Sequence, residues 1–218
     1  MSPPTATATT RADARRASAA RRAAGRKRRR RLLLFGAAAA VVVAVIAGTP
    51  LFKMAVSEFG LPLQDQSVIR QQAAAKHLDP ALIAAVIDTE TKFDPRTSSA
   101  GAVGLMQILP QTASFLAHRS GATTFSTADL GTPAVNIAYG SYYLRYLLDQ
   151  YGGNTVLALA AYNGGQANVS RWLTEARADG HRFGLSDIGF PETRAYVEKV
   201  LKARDDYRHK YASQLGIG

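Results

Sequence analysis

The sequence predicts an all-α domain, preceded by one transmembrane helix and a disordered basic N-terminal tail. Three observations carry this. Apolar residues recur at i, i+3 and i+4 through the region 67–210, and no stretch sustains the period-two alternation of a half-buried strand. Residues 32–52 contain no charged side chain, a run long enough to cross a hydrocarbon core. Residues 1–31 hold eleven Lys/Arg and one acid, Asp13, so nearly all of the net charge of +11 lies in them.

The tail is Ala, Arg, Ser and Thr, closing on Arg26-Lys27-Arg28-Arg29-Arg30-Arg31. Such a composition cannot bury a core and predicts disorder. The rest of the chain is close to neutral, which argues against a nucleic-acid-binding domain, since that would carry its basic patch on the folded surface. Nucleic acid is therefore not an expected partner. A basic cluster directly before the apolar run places the N-terminus in the cytoplasm, and the cluster need do no more than set that topology. A cleaved signal peptide competes with an anchor, but the run exceeds a usual signal core and no Ala-x-Ala site ends it. Residues 53–66 read as a linker broken by Gly60 and Pro62. The absence of cysteine excludes a disulfide framework, Cys-ligated zinc and a thiol nucleophile.

The domain proper is expected over 67–218. Ser67 is placed to cap a helix running to about His77. Asp79-Pro80 starts the next, with a side-chain cap and a proline where no N–H is needed. Along it Ile83, Val86, Ile87 and Glu90 share one face, which puts Glu90 on the core stripe, while Asp88 points to solvent. Pro95 stops the helix soon after Lys92. One carboxylate thus sits on the apolar face in the last turn, before the small-residue loop 97–104. Burial raises a carboxyl pKa, as a general acid near neutral pH requires. A core glutamate bonded to backbone accounts for the phasing equally well.

Further helices are expected after Pro110, from Thr132-Pro133 through Tyr139, Tyr142 and Tyr146, and from an Asn154 cap to Tyr162. The last of these is apolar nearly all round and belongs in a core. A short helix carries Val169 and Trp172. After a polar loop over 178–189, Phe190-Pro191-Glu192 opens the final helix. Trp172 and the tyrosine stripe read as packing. His77, His118, His181 and His209 show no ligand spacing, so no metal and no cofactor is expected.

Four blocks carry a family resemblance. Glu90-Thr91-Lys92-Phe93-Asp94-Pro95 with Ser99 through Ala113 resembles the first motif of the soluble-lytic-transglycosylase-like (SLT, lysozyme-like) domain. Asn136-Ile137 through Gly140 and Leu144 resembles the second, Leu157 through Gly165 the third, and Phe190 through Val197 the fourth. The resemblance implies a goose-lysozyme-like helical fold and an enzyme, a lytic murein transglycosylase, that cleaves the MurNAc–GlcNAc β-1,4 bond of peptidoglycan. It implies Glu90 as catalytic acid/base, with Ser99, Gln107, Tyr162, Asn163, Glu192 and Tyr196 lining the glycan cleft. Thr91 stands where the family commonly has serine, and the short loop leaves Ser98 and Ser99 interchangeable.

Glycosidases usually employ two carboxylates. Asp88 faces away, Asp94 lies past the helix end, and Glu192 also fits a plain first-turn acid. A single-carboxylate route suits the sequence better, with Glu90 protonating the glycosidic oxygen and then helping the C6 hydroxyl close a 1,6-anhydro ring. Tyr162 is the expected hydrogen-bond partner of Glu90. Alternatives are a hydrolytic muramidase on the same fold and a non-catalytic peptidoglycan-binding scaffold. The expected partners are peptidoglycan strands and, through residues 32–52, the membrane.

Overall fold

Proline and capping signals set the helix starts. In the computed structural model, which describes residues 61–218, α1 spans Gln66–Lys76, α2 Pro80–Thr91, α3 Pro110–Ser120, α4 Pro133–Gln150, α5 Thr155–Gly164, α6 Gln166–Ala178 and α7 Pro191–Leu215. The basic tail, the apolar run 32–52 and the linker up to residue 60 lie outside the described residues. Among the described residues no helix is long and apolar enough to cross a membrane.

Asp79 caps α2 by accepting from Ala81 N at 3.0 Å, and Asn154 caps α5 through Leu157 N at 3.1 Å. Two other caps are corrected. Asp65, in a left-handed backbone conformation, precedes α1, so Ser67 lies inside the helix. Thr132 precedes Pro133 but makes no side-chain cap.

α2 is the axis of the fold. Every residue from Ala81 to Asp88 is buried, and the long α7 packs along it. α4, α5 and α1 complete the core, with Trp172 of α6 buried against it. Burial on every side of α2 corrects the expectation for Asp88, which is 2 % exposed rather than in solvent. Helix phasing finds the more apolar face, but a helix enclosed all round has no solvent face for the remainder. Asp88 pairs with Lys92 at 2.7 Å, and its other carboxyl oxygen has no hydrogen-bond partner among the described residues.

The all-helical expectation is also corrected in one place. Arg96–Thr97 and Val103–Gly104 form a two-stranded antiparallel ribbon, with Arg96 opposite Gly104 and Thr97 opposite Val103. Strands of two residues are too short for alternation to register in sequence.

Residues 61–66 are tied to α7. The Tyr211 hydroxyl donates to Leu61 O at 2.7 Å, and the Tyr207 hydroxyl donates to Pro62 O.

Candidate active site

Beyond α2 the chain reverses through Lys92 (φ 57°) and Phe93 (φ 62°). Two consecutive non-glycine residues in the left-handed region store backbone strain, a feature concentrated at functional sites. Phe93 is held by burial against Tyr207, ring centroids 6.4 Å apart. The reversal returns Arg96 to the helix end, where its Nη2 donates to the Glu90 carbonyl at 2.5 Å.

The loop that follows is built around a buried amide. Asn136 of α4 accepts from Met106 N at 2.8 Å and donates to Val103 O at 2.8 Å and Leu130 O at 3.0 Å. A Cβ on Gly104 would lie 2.2 Å from the Asn136 amide nitrogen, and φ of +78° there also favours glycine. One turn along α4, a Cβ on Gly140 would lie 2.3 Å from Met106 Sδ. Asn136 and Gly140 therefore form a socket for the Val103–Met106 segment. The Thr91 hydroxyl reaches Leu105 O at 2.8 Å and Ile87 O at 3.2 Å, fastening the same segment to the last turn of α2. Thr91→Val is expected to lower stability by about 1 kcal/mol, and Thr91→Ser by less, as read by denaturant unfolding.

Glu90 lies partly buried at this end of α2. Burial pushes its carboxyl up to about 7, opposed by hydrogen bonding from Tyr196 and by the positive charges of Arg96 and Lys199. The Tyr196 hydroxyl favours the ionised carboxylate but falls short of full hydrogen-bond geometry, leaving its buried oxygen without a formal partner. Tyr162 and Tyr196 are both held protonated, their hydroxyls raised well above the usual range by burial and by the neighbouring Glu90.

Tyr162 corrects the partner expected for Glu90. Its hydroxyl donates to Met106 O at 2.8 Å, so it braces the loop, while the tyrosine engaged with the carboxyl is Tyr196 of α7. Gln107, also left-handed at φ 50°, donates Nε2 to Arg96 O and to Gly104 O, both at 2.8 Å. Its amide nitrogen is thereby committed to the loop, and Oε1 remains to accept from a ligand.

Gln107, Ile108, Thr112, Tyr143, Tyr162 and Asn163 are among the residues lining an open cavity of about 240 Å³. Asn163 accepts from Thr193 at 2.8 Å, joining the C-terminal end of α5 to the start of α7. Glu192 and Ser99 are exposed. Ser98 has the structural part in its loop, accepting from Ala102 N at 3.0 Å. The structure thus groups Glu90 with Tyr196 and Tyr162, and Gln107 with Tyr162 and Asn163. It adds Arg96, Lys199 and Thr193, which sequence reasoning did not single out. Asn136 was quoted only as the start of the second motif, and the structure gives it the part of loop anchor.

A helical, lysozyme-like domain with a partly buried glutamate at the end of α2 is the class of protein that fold and site define. The chain belongs to the transglycosylase SLT domain family, which matches residues 67–182. It is similar to the soluble lytic murein transglycosylase of Escherichia coli K12, 34 % identical over 152 residues covering 68 % of this chain and 23 % of that one. It is also similar to the membrane-bound lytic murein transglycosylase C of Actinobacillus pleuropneumoniae serotype 5b, 28 % identical over 164 residues covering 65 % of this chain and 45 % of that one. Among solved structures it resembles an inactive glutamate-to-glutamine mutant of the lytic transglycosylase Slt from Pseudomonas aeruginosa. There the TM-score is 0.63 at 34 % identity, covering 69 % of this chain and 25 % of that one. The chain therefore spans about a quarter of the length of the soluble relative and under half of the membrane-bound one.

Proposed function

We propose that this chain is a membrane-anchored lytic transglycosylase that cleaves the MurNAc–GlcNAc β-1,4 bond of peptidoglycan and leaves 1,6-anhydro-MurNAc ends. One observation carries the reading. The Glu90 carboxyl keeps its proton to about pH 7, and the groups that bear on it are a tyrosine and two cations rather than a second carboxylate. The names of the relatives agree with it.

Protonated Glu90 gives its proton to the glycosidic oxygen as the bond to C1 breaks, and positive charge develops on the muramic acid ring. The ionised Glu90 is stabilised at that moment by Tyr196, Arg96 and Lys199. It then takes the proton of the C6 hydroxyl, whose oxygen closes onto C1. Both proton transfers use one side chain, and the attacking group is part of the substrate, which gives it a high effective concentration. Gln107, Tyr162, Asn163, Glu192 and Ser99 line the path of the strand in this reading, with Tyr196 acting on the carboxyl itself. Residues 1–31 form the cytoplasmic tail, 32–52 the anchor and 53–60 the linker, since 61–66 are tied to α7, and this places the domain on the cell-wall side. The membrane-bound relative supports that arrangement.

Digestion of purified sacculi followed by mass spectrometry tests the reaction. Anhydro products lighter by one water are expected, and reducing ends would assign a muramidase instead. The pH dependence is a second test. Because the first step needs the protonated acid, kcat/KM is expected to fall about tenfold per pH unit above roughly pH 7, following the raised Glu90 carboxyl. A rate flat to pH 9 would remove Glu90 as the general acid.

A further inference from the structure

Residues 61–62 meet the domain away from the cleft. Asp88 and Glu90 stand two residues apart on α2 and so point to opposite faces. On the Asp88 side lies Tyr207 of α7, its hydroxyl raised above the ordinary range by burial and by the Asp88 charge. That hydroxyl donates to Pro62 O, and the Tyr211 hydroxyl donates to Leu61 O at 2.7 Å. The interior of α7 departs from helical backbone geometry at Tyr211 (φ −123°, ψ 26°), the residue that holds Leu61. The two tyrosine rings lie 5.7 Å apart, so their hydroxyls act as one clasp on the chain. None of these four residues lines the cavity beside Gln107 and Tyr162.

The clasp reaches the reaction centre through one ring. Tyr207 is fully buried and meets Phe93 with ring centroids 6.4 Å apart. Phe93 is the second of the two left-handed residues after α2, a backbone state that persists only where its surroundings over-determine it. The same reversal carries Arg96 back to the Glu90 carbonyl, and Gln107 holds Arg96 through its own carbonyl. The Tyr207 hydroxyl is meanwhile spent on a neutral carbonyl while Asp88 Oδ1, a buried carboxylate oxygen, has no hydrogen-bond partner among the described residues. A carboxylate is the stronger acceptor, and a buried charge left half-matched is costly. The hydroxyl therefore stays with Pro62 only while that segment is seated.

We propose that residues 61–62, clasped by Tyr207 and Tyr211, form a strap that positions Glu90 for turnover, with Tyr207 as the positioning residue. Seated, the strap keeps the Tyr207 ring against Phe93 and the reversal closed on the Glu90 carbonyl. Lifted, it releases the Tyr207 hydroxyl to Asp88, and the ring and the reversal shift with it. The strap acts on the chemical step and not on strand binding, because it lies outside the cleft. This rests on the peptidoglycan reading above.

The test assays the full chain in detergent on purified sacculi. Anhydro-end release measures turnover, co-sedimentation measures binding, and amide hydrogen exchange over 92–97 reports the reversal. Tyr207→Phe keeps the ring and removes only the hydroxyl. It is expected to lower kcat about tenfold, the upper range for one hydrogen bond, with KM and sacculus affinity unchanged and exchange over 92–97 faster. Tyr211→Phe should move both readouts the same way by about threefold. Pro62→Gly loosens the strap from its own side and should reproduce Tyr207→Phe, which a merely structural tyrosine would not require. Should Tyr207→Phe fail to fold, the other two variants carry the test. Unchanged kcat in Pro62→Gly and Tyr211→Phe, or a KM that rises in step with any loss, would overturn the proposal while wild-type turnover upheld the enzymatic reading. Faster exchange over 92–97 in the variants of a protein with no turnover would uphold the strap's hold on the reversal and remove the enzymatic reading.

Discussion

Glu90→Gln is expected to lower turnover of purified sacculi by on the order of 10³ or more, since a positioned general acid contributes roughly 10²–10⁴ and here the same group must also serve as base. Glutamine matches the size of the protonated acid and can donate a hydrogen bond from its amide, but it has no proton to give to a leaving alkoxide. Binding to sacculi should therefore survive while product release stops. The far-UV spectrum should not change, because the carboxyl's engagement with Tyr196 falls short of full hydrogen-bond geometry and the Arg96 contact is to the Glu90 backbone carbonyl. Release of soluble muropeptides, followed chromatographically, checks the result. Retention of even a tenth of the wild-type rate would mean that another group supplies the proton. Asp88 cannot be that group by geometry, being enclosed in the core and paired with Lys92.

How far the site was legible follows from which interactions are local. Glu90 was singled out because its position depends on residues within two turns, and 3.6-residue phasing reports those directly. The same phasing misplaced Asp88, because its surroundings come from Tyr207 of α7, far along the chain. Tyr196 took the part expected of Tyr162 for a similar reason. Each motif announced a tyrosine, but which hydroxyl reaches the carboxyl depends on how α5 and α7 cross α2, and no spacing within one motif encodes that. The Asn136 socket joins α4 to a loop some thirty residues earlier, so its function as a loop anchor becomes visible only when Met106, Val103 and Leu130 converge on one amide. The helix starts, by contrast, are written in adjacent pairs such as Asp79-Pro80, and proline at the first helical position marks four of the seven.

The same Glu90→Gln protein should also be more stable than wild type above neutral pH, by up to about 3 kcal/mol. The Glu90 carboxyl is raised from 4.5 to about 7 by burial, so between those values the folded state binds a proton that the unfolded chain has released. Stability then falls as pH rises. Below about pH 4.5 both states are protonated and the group costs nothing. Through the window the cost grows, and above pH 7 it is complete, because the folded protein must hold a partly buried carboxylate. Glutamine is neutral throughout and carries no such slope. Urea unfolding of wild type and variant at pH 4, 6 and 8 should show curves that coincide at the lowest pH and separate steadily above it. Partial solvent access at the cleft mouth trims the gap without changing its sign. A constant difference across the three pH values would mean that the carboxyl is ionised normally in the folded protein. The reaction would then lose its proton donor together with the stability slope, since both follow from the same desolvation.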